Sequence, residues 1–132
     1  MALAVAGGEV CLTVDDTPER VLRRLSIRDD GFIRGVLVSA EDPATAHPLD
    51  RKTCAFSRIA ALIALDAASP SYLTPIDEAR DAGAADDEIV GALVGLMPIV
   101  GVARVVSAAP KLALALGYDV AAALEESDPA SI

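Results

Sequence analysis

From Phe56 to Ala67 the apolar side chains recur at the three- and four-residue spacing of a helix: Phe56, Ile59, Ala60, Ile63 and Ala67 share one face, and Leu62 and Leu65 widen it. A helix patterned this way is expected to be buried on most sides, so other helices must close around it. The inventory available for that task is narrow. Of 132 residues, 53% are hydrophobic but only 3% are aromatic, which leaves Ala, Leu, Val and Ile to fill the interior. Small aliphatic side chains suit helices packed at close approach, and the expected fold class is all-α. A single domain over residues 1–132 accounts for the length.

Start and stop signals divide the rest of the chain. Residues 1–16 carry no clear period, although Val10, Leu12 and Val14 alternate with Cys11 and Thr13 as a short extended arm would. Thr17-Pro18-Glu19 combines a hydroxyl cap, a proline where its missing N–H costs nothing and an acid near the positive helix end. Val21, Leu22 and Leu25 are expected to face inward from that helix. Asp29-Asp30 restarts a helix with Phe32, Ile33, Val36 and Leu37 as its stripe, and residues 41–48 form a loop. Asp50 caps the helix of the opening pattern. Ser69-Pro70-Ser71 ends it and opens a helix over Ser71–Ala82, closed by Gly83 in the left-handed conformation.

Asp86-Asp87-Glu88 begins the longest helix, at the end where the dipole favours acids. Pro98 removes a donor within it and predicts a kink or break at residues 94–98. Gly91, Gly95 and Gly101 are poor helix formers whose expected use is close helix contact. Lys111–Leu116 is expected as a short further helix before Gly117, and residues 125–132 as a frayed tail.

The apolar run from Ile89 to Val106 is about membrane length, yet Pro98, Arg104 and several glycines interrupt it. The expectation is a buried helix of a soluble protein. The opening MALAVAGGEV lacks the basic start and long apolar core of a secretory signal, so the expected location is cytoplasmic. Cys11 and Cys54 are too far apart in sequence to suggest a disulfide framework or a structural zinc site. A formal net charge of −9 repels phosphate backbones and anionic lipid, which argues against nucleic-acid and membrane partners. Two largely apolar helices carry more hydrophobic surface than a chain of this length hides alone, which points to association with itself.

Three stretches, LDRKTCAFSRIAALIAL from Leu49, PIDEARDAGAADDEIVGALVGL from Pro75 and VGVARVVSAAPKLALALGYD from Val100, together resemble the carboxymuconolactone decarboxylase family, which includes the alkylhydroperoxidase D proteins. The resemblance covers the C-terminal two thirds of the chain, with its core over residues 49–118. It implies an alkylhydroperoxidase D-like helical bundle and a homo-oligomer, trimer or hexamer. In the alkylhydroperoxidase D branch a Cys-x-x-Cys pair, an upstream glutamate and a following histidine perform thiol redox chemistry. Counted back from Ala82-Gly83, the cysteine positions fall at Ala68 and Ser71 and the histidine position at Pro75. The glutamate of the Leu-Asp-x-Lys-Thr-x-Glu pattern falls at Ala55, although Leu49, Asp50, Lys52 and Thr53 match. None of these four can carry out the family chemistry. The lactone decarboxylase branch needs a histidine where Pro75 stands and titrating groups within hydrogen-bond reach, so that activity is disfavoured as well.

The expectation that remains is a non-redox protein binding or converting a small anionic metabolite between helices; the alternative is an oligomeric assembly protein that retains the fold without its catalytic set. Arg58, Asp66 and Arg104 are charged residues within apolar stretches, and an arginine fork suits a carboxylate. Arg58 and Asp66, eight residues apart, would share a helix face. The ordinary reading of all three, a structural ion pair or solvent exposure, is the preferred one. Tyr72 and Asp77 lie on the segment that holds the active site in the resembled family, so they offer a phenol donor and a carboxylate; a surface tyrosine and a solvated acid are the bland alternatives. Cys54 is expected to be a small buried hydrophobe rather than a nucleophile. His47 is the single histidine, and Asp86-Asp87-Glu88 is explained by its helix start, so neither a metal nor a cofactor is expected.

Overall fold

A computed structural model describes residues 17–39 and 49–120. Six α-helices order them: α1 (Pro18–Ser26), α2 (Asp30–Ser39), α3 (Arg51–Ala64), α4 (Leu73–Asp81), α5 (Asp86–Val100) and α6 (Val102–Leu116), with a 3₁₀ turn at Ser69–Tyr72. There is no strand among the described residues. The chain divides into two compact units, Met1–Leu49 carrying α1 and α2, and Asp50–Ile132 carrying α3 to α6. The expected arm at residues 1–16, the loop at 41–48 and the tail at 125–132 lie outside the described residues.

In the first unit the Thr17 hydroxyl accepts the Arg20 N–H at 3.4 Å with Pro18 in the first helical turn, as the cap signals require. Arg28 closes α1 in the left-handed region at φ 54°, and Asp29 caps α2 by accepting the Phe32 N–H at 3.1 Å. The Arg24 guanidinium sits 4.5 Å from the centre of the Phe32 ring and donates to Asp29 at 3.1 Å, fastening the end of α1 to the start of α2. Phe32 is buried, but the expected inward stripe of α1 is not: Leu22 and Leu25 are 63% and 47% exposed. A nine-residue helix in a two-helix unit has too little surface opposite it to cover both leucines.

The second unit is built around α3. Asp50 accepts the Thr53 N–H at 2.8 Å and the Thr53 hydroxyl at 2.9 Å, and the helix it starts buries Ala55, Ile59 and Ile63 completely or nearly so. Tyr72, Ile76, Ala79, Ile89, Leu93, Val105, Ala108, Leu112 and Leu116 join them in one core. α3 is nevertheless one-sided: Leu65 is 76% exposed, so the expectation of burial on most sides fails at its C-terminal end.

Helix ends explain most of the remaining path. At the end of α4 the Gly83 N–H bonds to the Arg80 carbonyl and the Ala84 N–H to the Ala79 carbonyl, with Gly83 at φ 92°, the Schellman arrangement expected of that glycine. α3 ends with the same pair of bonds, Asp66 to Ile63 and Ala67 to Leu62, but with an aspartate at φ 53° in the glycine position. The expected helix over Ser71–Ala82 is divided into the 3₁₀ turn and α4, because Pro70 lies in the turn and Leu73 begins the α-helical hydrogen bonding.

The apolar run from Ile89 to Val106 is also divided. α5 continues through Pro98 to Val100, and the chain breaks at Gly101, φ 89° and ψ 157°, not at residues 94–98. Likewise α6 runs through Pro110, so the separate helix expected at Lys111–Leu116 is the last part of a longer one. Each proline deprives a carbonyl four residues earlier of its donor. Those residues, Val94 and Val106, are 58% and 63% exposed, so water can replace the lost donor. Gly91, Gly95 and Gly101 do not serve close helix contact among the described residues, since a Cβ placed on any of them meets nothing of those residues within 4 Å.

Candidate functional site

Because Asp66 takes the left-handed position that ends α3, its carboxylate leaves the helix axis and reaches α6. There it accepts the Ser107 hydroxyl at 2.7 Å and the Lys111 ammonium at 2.9 Å, with the Arg104 guanidinium 3.7 Å away. Lys111 also donates to the Ala67 carbonyl at 3.0 Å. The Lys111 and Ser107 hydrogen bonds hold the Asp66 carboxyl below its ordinary value, against a smaller effect of burial. Within this cluster two cations surround one carboxylate.

Tyr72, at the end of the 3₁₀ turn, is completely buried and its hydroxyl has no hydrogen-bond partner among the described residues. This corrects the bland reading of a surface tyrosine. Burial pushes the phenol above its ordinary value of 10.0; Lys111 opposes that shift and Asp66 reinforces it, so both charges act on Tyr72. It therefore stays protonated, and a phenol in that state can donate a hydrogen bond.

Of the sequence candidates, Asp66 and Arg104 are brought together, and the charge of Asp66, with that of Lys111, acts on Tyr72. Arg58 stands elsewhere. It donates to Glu78 of α4 at 2.9 Å, and because Asp66 has already left the helical conformation the two do not share a helix face. Asp77 is exposed, and Cys54 is half-buried rather than a fully buried hydrophobe. Cys11 and His47 lie outside the described residues. Ala55 and Pro75 are buried, whereas Ala68 and Ser71 are exposed at the 3₁₀ turn.

Two members of the cluster, Ser107 and Lys111, are absent from the sequence candidates. The signal for them is the spacing of Arg104, Ser107 and Lys111 at three and four residues, which aligns them on one face once α6 is continuous through Pro110.

The acidic start of α5 has internal partners. Asp86 accepts two hydrogen bonds from Arg80 at 2.9 Å each and one from the Tyr118 hydroxyl at 2.9 Å, which together hold its carboxyl below the ordinary value. Arg80 also donates to the Leu116 carbonyl at 3.0 Å, tying the end of α6 to the α4–α5 junction. Glu88 accepts from Lys52 and from the Ala85 N–H, at 3.0 and 3.1 Å. No group of three or more His, Cys, Asp or Glu side chains that could hold a metal occurs among the described residues. No helix among them is long and apolar enough to cross a membrane.

No family model matches the sequence, and neither a curated protein nor a solved structure matches it.

Proposed function

We propose that this chain is a non-redox protein, built on a scaffold like that of the carboxymuconolactone decarboxylase family, that binds a small anionic metabolite through the Arg104, Ser107 and Lys111 face of α6. The observation that carries the reading is a surplus of donors. Arg104 makes no hydrogen bond among the described residues, and the Asp66 oxygen with which it pairs is 3.7 Å away. Lys111 uses two of its three N–H groups. An acceptor-rich group of opposite charge complements that set, and a carboxylate offers about four lone-pair sites. Thiol chemistry does not enter, because Ala68, Ser71 and Pro75 stand where the resembled redox proteins need cysteines and a histidine.

A thermal-shift screen of small carboxylates, including aromatic and lactone acids, tests the reading. A ligand at 100 times its dissociation constant stabilises the native state by about 2.7 kcal/mol. We expect at least one carboxylate to raise the melting temperature and Arg104→Ala to abolish the rise. Silence across the screen contradicts the proposal.

A second reading, assembly of identical chains, is favoured by a separate observation. Val94, Ile99, Val102 and Val106 expose 58%, 81%, 61% and 63% of their surface on α5 and α6. Sedimentation equilibrium is expected to give a mass that is a multiple of 13.5 kDa. A species of that mass alone at high protein concentration contradicts assembly.

A further inference from the structure

α6 presents three faces. Val105, Ala108, Leu112 and Leu116 lie in the core, and Arg104, Ser107 and Lys111 form the polar face described above. The third face carries Val102, Val106, Pro110 and Leu114, four residues apart and all exposed, so an apolar stripe that no described residue covers runs the length of the helix. Two further needs accompany it. Pro110 leaves the Val106 carbonyl without its helical donor. The first turn of α6 has neither a capping side chain nor an acid, and Arg104 within it makes no hydrogen bond among the described residues. An occupant has to bring apolar side chains, a free N–H at the middle of the helix and negative charge at its start. A helix of a second copy lacks the free N–H, since groups inside a helix are already engaged. An extended segment has it.

The chain itself supplies such a segment. α6 ends at Gly117, φ 88°, where the Tyr118 N–H bonds to the Ala113 carbonyl and the chain turns off the helix axis. The described residues end at Val120, and Ala121-Ala122-Ala123-Leu124 follows, with Glu125, Glu126 and Asp128 in the next four positions. We propose that residues 121–128 lie extended along the apolar stripe, antiparallel to α6, with Leu124 beside Val106 and the three acids at the start of α6 and at Arg104. The lengths agree. From Leu116 back to Val102 is about 21 Å along the helix, and from Val120 an extended chain reaches Glu125–Asp128 in about 17–26 Å. Leu124, about 13 Å along the segment, falls level with Val106, about 15 Å back from Leu116. Wound as a helix, the same eight residues advance only about 12 Å and leave the acids short of Arg104. The order agrees too: apolar residues come first, against Leu114 and Val106, and charge comes last. The strap leaves Val94 and Ile99 of α5 open to assembly.

Disulfide trapping in the full chain tests the strap. Cys11→Ser and Cys54→Ala remove the two native thiols, and Val106→Cys and Leu124→Cys are introduced together and treated with oxidised glutathione at low protein concentration. The expected product is a bond within one chain, at monomeric mass. Leu65→Cys with Leu124→Cys is the comparison. Leu65 is 76% exposed and adjoins Asp66, which meets Ser107, so it stands level with Val106 but off the stripe. Both introduced sites on the helices are exposed, so neither cysteine disturbs the core. A tail that is free in solution closes at about equal rates on the two sites, whereas the strap predicts closure at least tenfold faster on Val106. Replacing the acids, by Glu125→Gln, Glu126→Gln and Asp128→Asn at low ionic strength, is expected to slow the Val106 closure at least threefold. Equal rates at the two sites, or indifference to the acids, overturns the proposal. A bond formed mainly between chains assigns the stripe to a second copy and overturns it as well.

Discussion

Ile59→Ala is expected to destabilise the protein by about 2–5 kcal/mol, the cost of truncating a fully enclosed aliphatic side chain in a close-packed core. Ile59 is 0% exposed at the middle of α3 and belongs to the core that includes Ile63, Tyr72, Ile76 and Ile89. A loss of this size is a large share of the roughly 5–15 kcal/mol that holds an ordinary domain together. Urea denaturation followed by circular dichroism measures it. Leu65→Ala, at a position 76% exposed on the same segment, is the matched control and is expected to change stability by less than about 0.5 kcal/mol. Equal effects at the two positions contradict the assignment of the buried face.

Gly101→Ala is expected to cost about 1–3 kcal/mol, for a reason that involves no contact. At φ 89° and ψ 157° this residue joins α5 to α6 in a region of backbone space that essentially only glycine enters. A Cβ there meets nothing within 4 Å, so the penalty comes from the backbone itself. Gly95, in the interior of α5, supplies the opposite case. Its Cβ position is equally open, but its backbone is helical, and Gly95→Ala is expected to stabilise by about 0.5–1 kcal/mol. Opposite signs from the same substitution at two glycines six residues apart separate backbone strain from packing. A stabilising Gly101→Ala contradicts the geometry of the junction.

These two glycines also show where sequence reasoning carries and where it stops. Thr17, Asp29 and Asp50 start helices by chemistry that is local to three or four residues, so their caps are legible without any tertiary information. Gly83 is legible for the same reason. The spacing of Ile59 and Ile63 identifies the inner face of α3, since both are fully buried. Periodicity says which residues share a face but not whether another element covers it, and Leu22, Leu25 and Leu65 are exposed on that account. Proline marks a lost donor, yet α5 and α6 absorb Pro98 and Pro110 next to exposed turns, while the real break needs the unusual backbone of Gly101.

The candidate site follows the same division. Asp66 and Arg104 stand out as charges within apolar surroundings, and they do meet, at 3.7 Å. Ser107 and Lys111 escape notice because cutting α6 at Pro110 hides the helical spacing that aligns them with Arg104. The burial of Tyr72 depends on how the 3₁₀ turn packs against α6, a contact between residues far apart in sequence. Arg58 satisfies the same sequence criterion as Arg104 but finds Glu78, 20 positions away, and its charge is spent there.

The proposed carboxylate site on α6 rests on donors that exceed the acceptors offered by the described residues. Titrating acetate into the parent chain and into Lys111→Ala, by calorimetry at fixed ionic strength, tests it most directly. The account predicts saturable binding of one acetate per chain and an affinity at least tenfold weaker in Lys111→Ala. Absence of saturable heat in the parent chain, or equal affinity in both proteins, contradicts it.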